Sequence, residues 1–381
     1  MTVPDPALDL LRTLVSIDSV NPSLVPGGAG EAQAAAAVAD ALRKGGLEVE
    51  VEEVAPGRPN VVGLLEGRGP GRSLMLCGHL DTVGVAGMDR PFDPVERDGR
   101  LHGRGAQDMK GGLAAILDAA RRVAAAGLPK GRLVVAAVAD EECGSIGAEA
   151  LVRRWRADGA VVAEPTDMVV GVGHRGFSWV EIVTRGRAAH GSRPREGRDA
   201  IFDMGRALRR LEALDRRLQS RSPHPLLGTA SLHASLVEGG REWSTYPDRC
   251  ALRYERRNLV GEDLSLALAE ANEILAALTA EDGQFEATAR GLFDRPAYEI
   301  PVDHPLVESL GAVLRDRGRW LEPAGMSFWT DAAILGGAGI PSVVFGPGGA
   351  GLHGPEEHVR IDDVLACRDV FRELIAAWCA G

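Results

Sequence analysis

Aromatic side chains are scarce in this sequence, at 4% of residues, while glycine is abundant at 48 residues. That balance suggests close helix–sheet packing rather than aromatic platforms, and it leaves no stacking set of the kind that holds RNA bases. Basic residues are outnumbered: 43 Lys and Arg stand against 54 Asp and Glu, a formal net charge of -11. A nucleic-acid partner is therefore not expected, since phosphate binding needs concentrated positive charge. The five cysteines (Cys77, Cys143, Cys250, Cys367, Cys379) are odd in number and form no CxxC pair. Free thiols in a reducing compartment fit better than a disulfide frame or a Cys-type zinc site. No uninterrupted apolar stretch is long enough to span a bilayer. Residues 1–17 lack a basic segment followed by an apolar one, and Leu8, Leu11, Leu14 and Val15 recur instead at helical spacing. No membrane association and a cytoplasmic address are expected. A phosphate loop is also missing, because Gly103-Arg104-Gly105 runs on to Asp108 where GxGxxG requires glycine, and GxxxxGK[ST] does not occur.

What the sequence does have is an ordered series of acids and imidazoles at glycine-rich turns. The series reads Gly78-His79-Leu80-Asp81, then Gly105-Ala106-Gln107-Asp108, then Asp140-Glu141-Glu142-Cys143-Gly144. It continues with Ala163-Glu164-Pro165-Thr166 and closes with Gly351-Leu352-His353-Gly354. Two histidines and three carboxylates are about what a pair of divalent cations needs when one carboxylate bridges them.

At 381 residues the chain is long enough to expect two domains. Helix-like and strand-like segments alternate through the first half: helices at 31–44 and 110–126, and strands at 47–54, 60–65, 73–77 and 133–139. This texture predicts an α/β architecture with a mixed, mostly parallel sheet flanked by helices. The acids and His79 fall where strands end, the usual place for sites in open α/β sheets. From about Arg175 the rhythm becomes strand–helix–strand–strand–helix–strand, the split βαβ order of a ferredoxin-like α+β domain. The simplest organisation is a discontinuous larger domain, 1–174 and 294–381, with 175–293 inserted.

Taken singly, these residues leave alternatives open. Asp81 is well placed to orient His79, as partners of metal-bound histidines do. Asp108 is equally readable as the N-cap of the helix that follows. Adjacent acids at a strand end point in different directions, so one of Glu141 and Glu142 could ligate metal while the other faces a reacting water. Glu164 is uninformative alone, and His353 gains weight from the glycines around it.

In order, spacing and local letters, the five motifs resemble the co-catalytic zinc aminoacylases and exopeptidases that include acetylornithine deacetylase, succinyl-diaminopimelate desuccinylase and carboxypeptidase G. The resemblance covers nearly the whole chain. It implies a zinc-exopeptidase-like catalytic domain and a ferredoxin-like lid and dimerisation domain. It also implies two divalent cations, zinc foremost, with cobalt or manganese suited to similar ligands. His79 and Glu164 would hold one and Glu142 and His353 the other, with Asp108 bridging, Glu141 acting as general base and Asp81 orienting His79. His190, in Ala188-Ala189-His190-Gly191-Ser192-Arg193-Pro194, would stabilise the oxyanion from the partner subunit of a homodimer. Arg256 or Arg257, with Thr330 and Asp331, resemble positions near the substrate. One departure is Ser244, which replaces a lid asparagine of the desuccinylase branch. The implied activity is hydrolysis of the N-acyl or peptide amide of a small amino-acid derivative by a metal-bridging water. An exopeptidase or a non-catalytic metal-binding homologue is the alternative.

Overall fold

The computed structural model of the protein describes residues 5–85 and 87–381, which form two compact units. One unit is the chain through Val172 with Ile300–Gly325 and Thr330–Gly381; the other is Gly173–Glu299 with Met326–Trp329. The boundaries expected from sequence, at 174/175 and 293/294, stand beside changes of unit at 172/173 and 299/300. Among the described residues no helix is long and apolar enough to cross a membrane.

The first unit is built on a mixed sheet. Its centre is parallel: Ser73–His79 lies between Arg132–Val138 and Gly159–Val162, and Ser342–Val344 extends the row beside Gly159–Val162. Among the described strands of this sheet the outer pairs, 48–55 with 58–66 and 58–66 with 132–138, are antiparallel. Glu48–Ala55 and Arg58–Glu66 form a hairpin, because a turn of two residues leaves no room for the crossover that parallel strands require. Arg58–Glu66 then pairs antiparallel with Arg132–Val138. The central strands are apolar and buried on both faces, as Leu133, Val134, Val135, Ala136, Ala137 and Val138 illustrate.

The helix Gly111–Ala126 fixes the geometry beneath the strand ends. It is buried from Gly111 through Ala120 and packs against the helices Pro6–Val15 and Ile361–Ala380. Its second residue lies against the end of the strand Gly159–Val162: a methyl group on Gly112 would overlap the carbonyl oxygen of Ala163, next to Glu164. Helix and strand approach this closely only because residue 112 has no side chain. A small sheet missing from the sequence reading joins Val95–Arg97, Arg100–His102, His358–Arg360 and Gly349–Ala350. Two- and three-residue strands carry too little periodicity to be read from a sequence.

The second unit is a four-stranded antiparallel sheet in the order 231–239, 249–258, 176–185, 286–295. That order and the two helices, Ala200–Gln219 and Leu264–Glu281, make it ferredoxin-like. Val180, Ile182, Leu252 and Tyr254 form a core with Met204, Leu211, Ala271 and Leu275 of the helices.

Two glycines separate contact from propensity. Gly112→Ala should cost about 1–3 kcal/mol of stability through overpacking. Gly205→Ala, in a helix with open space around it, should gain up to about 1 kcal/mol from helix propensity. Urea titration of both variants checks the pair, and equal effects would contradict the packing argument.

Candidate active site

Five of the predicted residues converge in the first unit as two overlapping triads, His79–Asp108–Glu164 and Asp108–Glu142–His353, with the donor atoms of each triad within 4.8 Å of one another. Asp108 belongs to both. Its Oδ1 lies 3.0 Å from His79 Nε2, and its Oδ2 lies 3.3 Å from His353 Nε2. Glu164 Oε1 stands 3.8 Å from His79 Nε2, and Glu142 Oε2 stands 3.2 Å from His353 Nε2. One carboxylate therefore turns one oxygen to each histidine.

His79 ends the central strand Ser73–His79, and Glu164 follows the neighbouring strand Gly159–Val162. Asp108 does not cap the following helix. It lies in extended backbone (φ -116°, ψ 97°), and Lys110 occupies the N-cap without a side-chain hydrogen bond. The capping reading of Asp108 is thereby set aside.

The charge balance follows from burial. Burial and the nearby Asp108 raise Glu142, and push Glu164 well above the usual carboxylate range. Burial, with Glu164 beside it, also pushes Glu141 well up. Burial opposes ionisation of Asp108, yet its bonds to His353 and His79 hold it well below its ordinary value. Hydrogen bonds to Asp108 and Glu142 raise His353 to about 10. Burial disfavours the charged form of His79, but Asp108 and the surrounding acids outweigh that and raise it. Within this buried group Glu142 Oε1 and Glu164 Oε1 receive no hydrogen bond.

Asp81 does two jobs with different atoms. Its main-chain carbonyl accepts from His79 Nδ1 at 2.9 Å, whereas its carboxylate Oδ1 is 3.6 Å from that nitrogen. The carboxylate instead accepts the backbone N–H groups of Glu141 and Glu142, both at 3.1 Å, and Asn21 Nδ2 at 2.7 Å. Thr330 and Asp331 are both buried; the Thr330 hydroxyl accepts the Ala332 N–H, and the Asp331 charge adds to the rise of Glu141.

The remaining predicted residues belong to the second unit. Arg256 requires correction: all its N–H groups are spent within the protein, on Glu270, Glu262 and Asn258, and it is fully buried. No donor is left for a substrate carboxylate. Arg257 keeps capacity, with one hydrogen bond to the Ser327 carbonyl and a long ion pair to Glu255 at 3.6 Å. His190 is exposed, its Nδ1 2.8 Å from Ser192 Oγ, and it bridges to Thr245 beside Ser244.

Several supporting residues escaped the sequence reading. Glu357 is buried and accepts the N–H groups of Gly105 (3.0 Å), Gln107 (3.0 Å) and Asp108 (3.1 Å), with Arg104 Nη1 at 2.5 Å. It ties the Asp108 segment to the segment bearing His353. Asn21 links Asp81 to Asp140, and Arg58 links Asp140 to Glu31. The only sequence signal for Glu357 was its place four residues after His353.

Residues 75–377 match the model described as Peptidase family M20/M25/M40, and the chain belongs to this family of hydrolases acting on amide bonds. Among curated relatives it is 31% identical over 379 residues to N-formyl-4-amino-5-aminomethyl-2-methylpyrimidine deformylase of Bacillus subtilis, covering 90% of this chain and 88% of the relative. It is also 31% identical over 332 residues to the acetylornithine deacetylase of Myxococcus xanthus, covering 84% of each chain. Its fold matches the crystal structure of a tripeptidase from Staphylococcus aureus with a TM-score of 0.81 at 22% identity, over 99% of this chain and 98% of that one.

Replacing Glu357 with glutamine would set an amide NH2 against backbone N–H donors and loosen the Asp108 turn. Glu357→Gln should weaken divalent-cation binding about 10–100-fold, read by calorimetry on metal-stripped protein with circular dichroism unchanged. Unaltered affinity would contradict this role.

Proposed function

We propose that the protein is a metal-dependent amidohydrolase that removes an acyl group, of acetyl or succinyl type, from a small amino-acid derivative. The observation that carries this reading is the division of Asp108 between two histidines, each with a second acid beside it. The donor set fits two divalent cations. Buried carboxylate oxygens without donors, as in Glu142 and Glu164, are costly unless positive charge meets them. His79 and Glu164 would hold one cation, Glu142 and His353 the other, and Asp108 both. Zinc suits these nitrogen and oxygen donors, as would cobalt or manganese. Bound there, such cations supply Lewis-acid polarisation of the amide carbonyl and lower the pKa of water.

The chain's own residues do the rest. Glu141 belongs to neither triad, and its carboxylate takes the proton of the attacking water and returns it to the leaving amine nitrogen. Asp81 fixes the backbone of Glu141 and Glu142 together, so the base and its neighbouring ligand are presented as one unit. Arg257 keeps capacity to meet a substrate carboxylate, and the buried Asp331, next to Thr330, bears on Glu141 through its charge. The second unit serves as a lid and dimerisation domain, and His190 stabilises the oxyanion across the dimer. Leu236 and Val237, exposed on the edge strand Ser231–Gly239, support that assembly. The 31%-identical deformylase and deacetylase favour acyl removal over peptide cleavage.

Glu141→Ala should lower turnover at least about 10²–10⁴-fold while metal content measured by elemental analysis stays normal. Retained turnover removes Glu141 as the base. Activity should also follow the dimer: sedimentation-coupled assays should find monomers inactive, and a fully active monomer excludes His190 acting in trans.

A further inference from the structure

The small sheet of the first unit has one buried face and one open face. Leu101 and Val359 belong to the buried face and are fully covered. The residues that alternate with them form two rows on the opposite face. Arg100 stands between Arg97 and Arg360 in one row, and His102 between Val95 and His358 in the next. Neither row contains an acid. The Asp98-Gly99 turn, with both residues at positive φ (52° and 72°), closes the hairpin tightly and holds Arg97 and Arg100 directly opposite one another.

Like charges opposed across strands destabilise a sheet unless opposite charge meets them. Arg360 has such partners, Asp167 at 2.7 Å and Asp363 at 2.6 Å. Arg97 and Arg100 are exposed and pair with no acid among the described residues. Beside them the rings of His102 and His358 lie 4.9 Å apart. His358 donates its Nδ1–H to the Glu356 carbonyl at 3.0 Å. His102 Nε2, in contrast, is shielded from water and has no hydrogen-bond partner. Burial lowers the His102 pKa, and His358, Arg97 and Arg100 lower it further against the single pull of Glu356. Cations thus dominate the field at this imidazole.

His102 and Arg97 line a cavity of about 400 Å³. Its described lining includes no member of either triad, so it is distinct from the candidate metal centre. Two acids of its wall are already spent, Asp93 on Arg90 and Glu357 on Arg104 and backbone N–H groups. Asp89 and Glu356 also border it, and their charge disfavours a second anionic group on a ligand. We propose that this cavity binds the phosphoryl group of a small phosphate compound, with Arg97, Arg100 and His102 as its donors. Three donors at separate points suit a tetrahedral anion better than a planar carboxylate, and guanidinium–phosphate bonds are charge-assisted. A cavity of this size also takes a small organic group, so the phosphate is either free or carried as a monoester.

The test is calorimetric titration of the full-length protein with inorganic phosphate, glycerol 3-phosphate and acetate. Both phosphates should bind at least about tenfold tighter than acetate, and Arg97→Gln and Arg100→Gln should each weaken phosphate about tenfold. In phosphate-free buffer each variant should melt about 1–3 °C higher than the unaltered protein, because one of two opposed cations is gone. Phosphate binding that both variants leave unchanged, as an anion held at the metal centre would show, overturns the proposal. Acetate binding as tight as phosphate binding does the same. A lower melting midpoint for both variants without phosphate would mean that the arginines hold the hairpin themselves, and it too overturns the proposal. Tighter binding of glycerol 3-phosphate than of phosphate identifies a monoester as the ligand, and equal affinity identifies the free ion; either keeps the site.

Discussion

The first unit depends on how it buries negative charge. Asp81, Asp108, Glu142, Glu164, Asp140, Glu31 and Glu357 all lie near one end of a parallel sheet, and water is largely excluded from them. A carboxylate can be kept there only with donors or positive charge of its own. The supporting acids have them: Asp81 takes two backbone N–H groups and Asn21, Glu357 takes three N–H groups and Arg104, and Glu31 and Asp140 share Arg58. Glu142 and Glu164 are not fully provided for, since each keeps an oxygen without a donor. Satisfied acids build the frame, and unsatisfied ones mark where chemistry is invited.

This distinction also explains what could be read from the sequence. Strand ends followed by His or acid are visible as text, because an apolar run and a glycine-rich turn both leave a local signature. The parallel centre of the sheet was legible for the same reason, whereas the hairpin at 48–66 departs from it through a turn two residues long. Asp108 shows the limit of local reasoning. Its letters fit an N-cap equally well, and only the fold shows that it stands between histidines brought from positions 79 and 353. Arg256 and Arg257 are indistinguishable as letters but sit on opposite faces of one strand. One is consumed by Glu262 and Glu270; the other lies over the ring of Phe177. Glu357, Asn21 and Arg58 act through hydrogen bonds to distant backbone and side chains, which no periodicity encodes.

The second unit divides its labour by strand alternation. Even-numbered positions such as Val180 and Ile182 join the helices in a core, while Phe177 and Trp179 go to the other side. A one-residue slip of register would exchange the two sets and bury arginines among leucines. The Arg256 ion-pair cluster beside Asn258 and Ser178 pins that register from within.

The bond between Glu357 and the Asp108 turn spans 249 to 253 residues of chain, with the whole second unit lying between its ends. Contacts of such sequence separation are slow to form, because loop closure is costly before the contact rewards it. A ribosome will therefore have finished the ferredoxin-like unit, which can fold as it emerges, before the acceptor for the Asp108 turn exists. Two members of the centre, His353 and the Glu357 that braces Asp108, are thus added only late in synthesis.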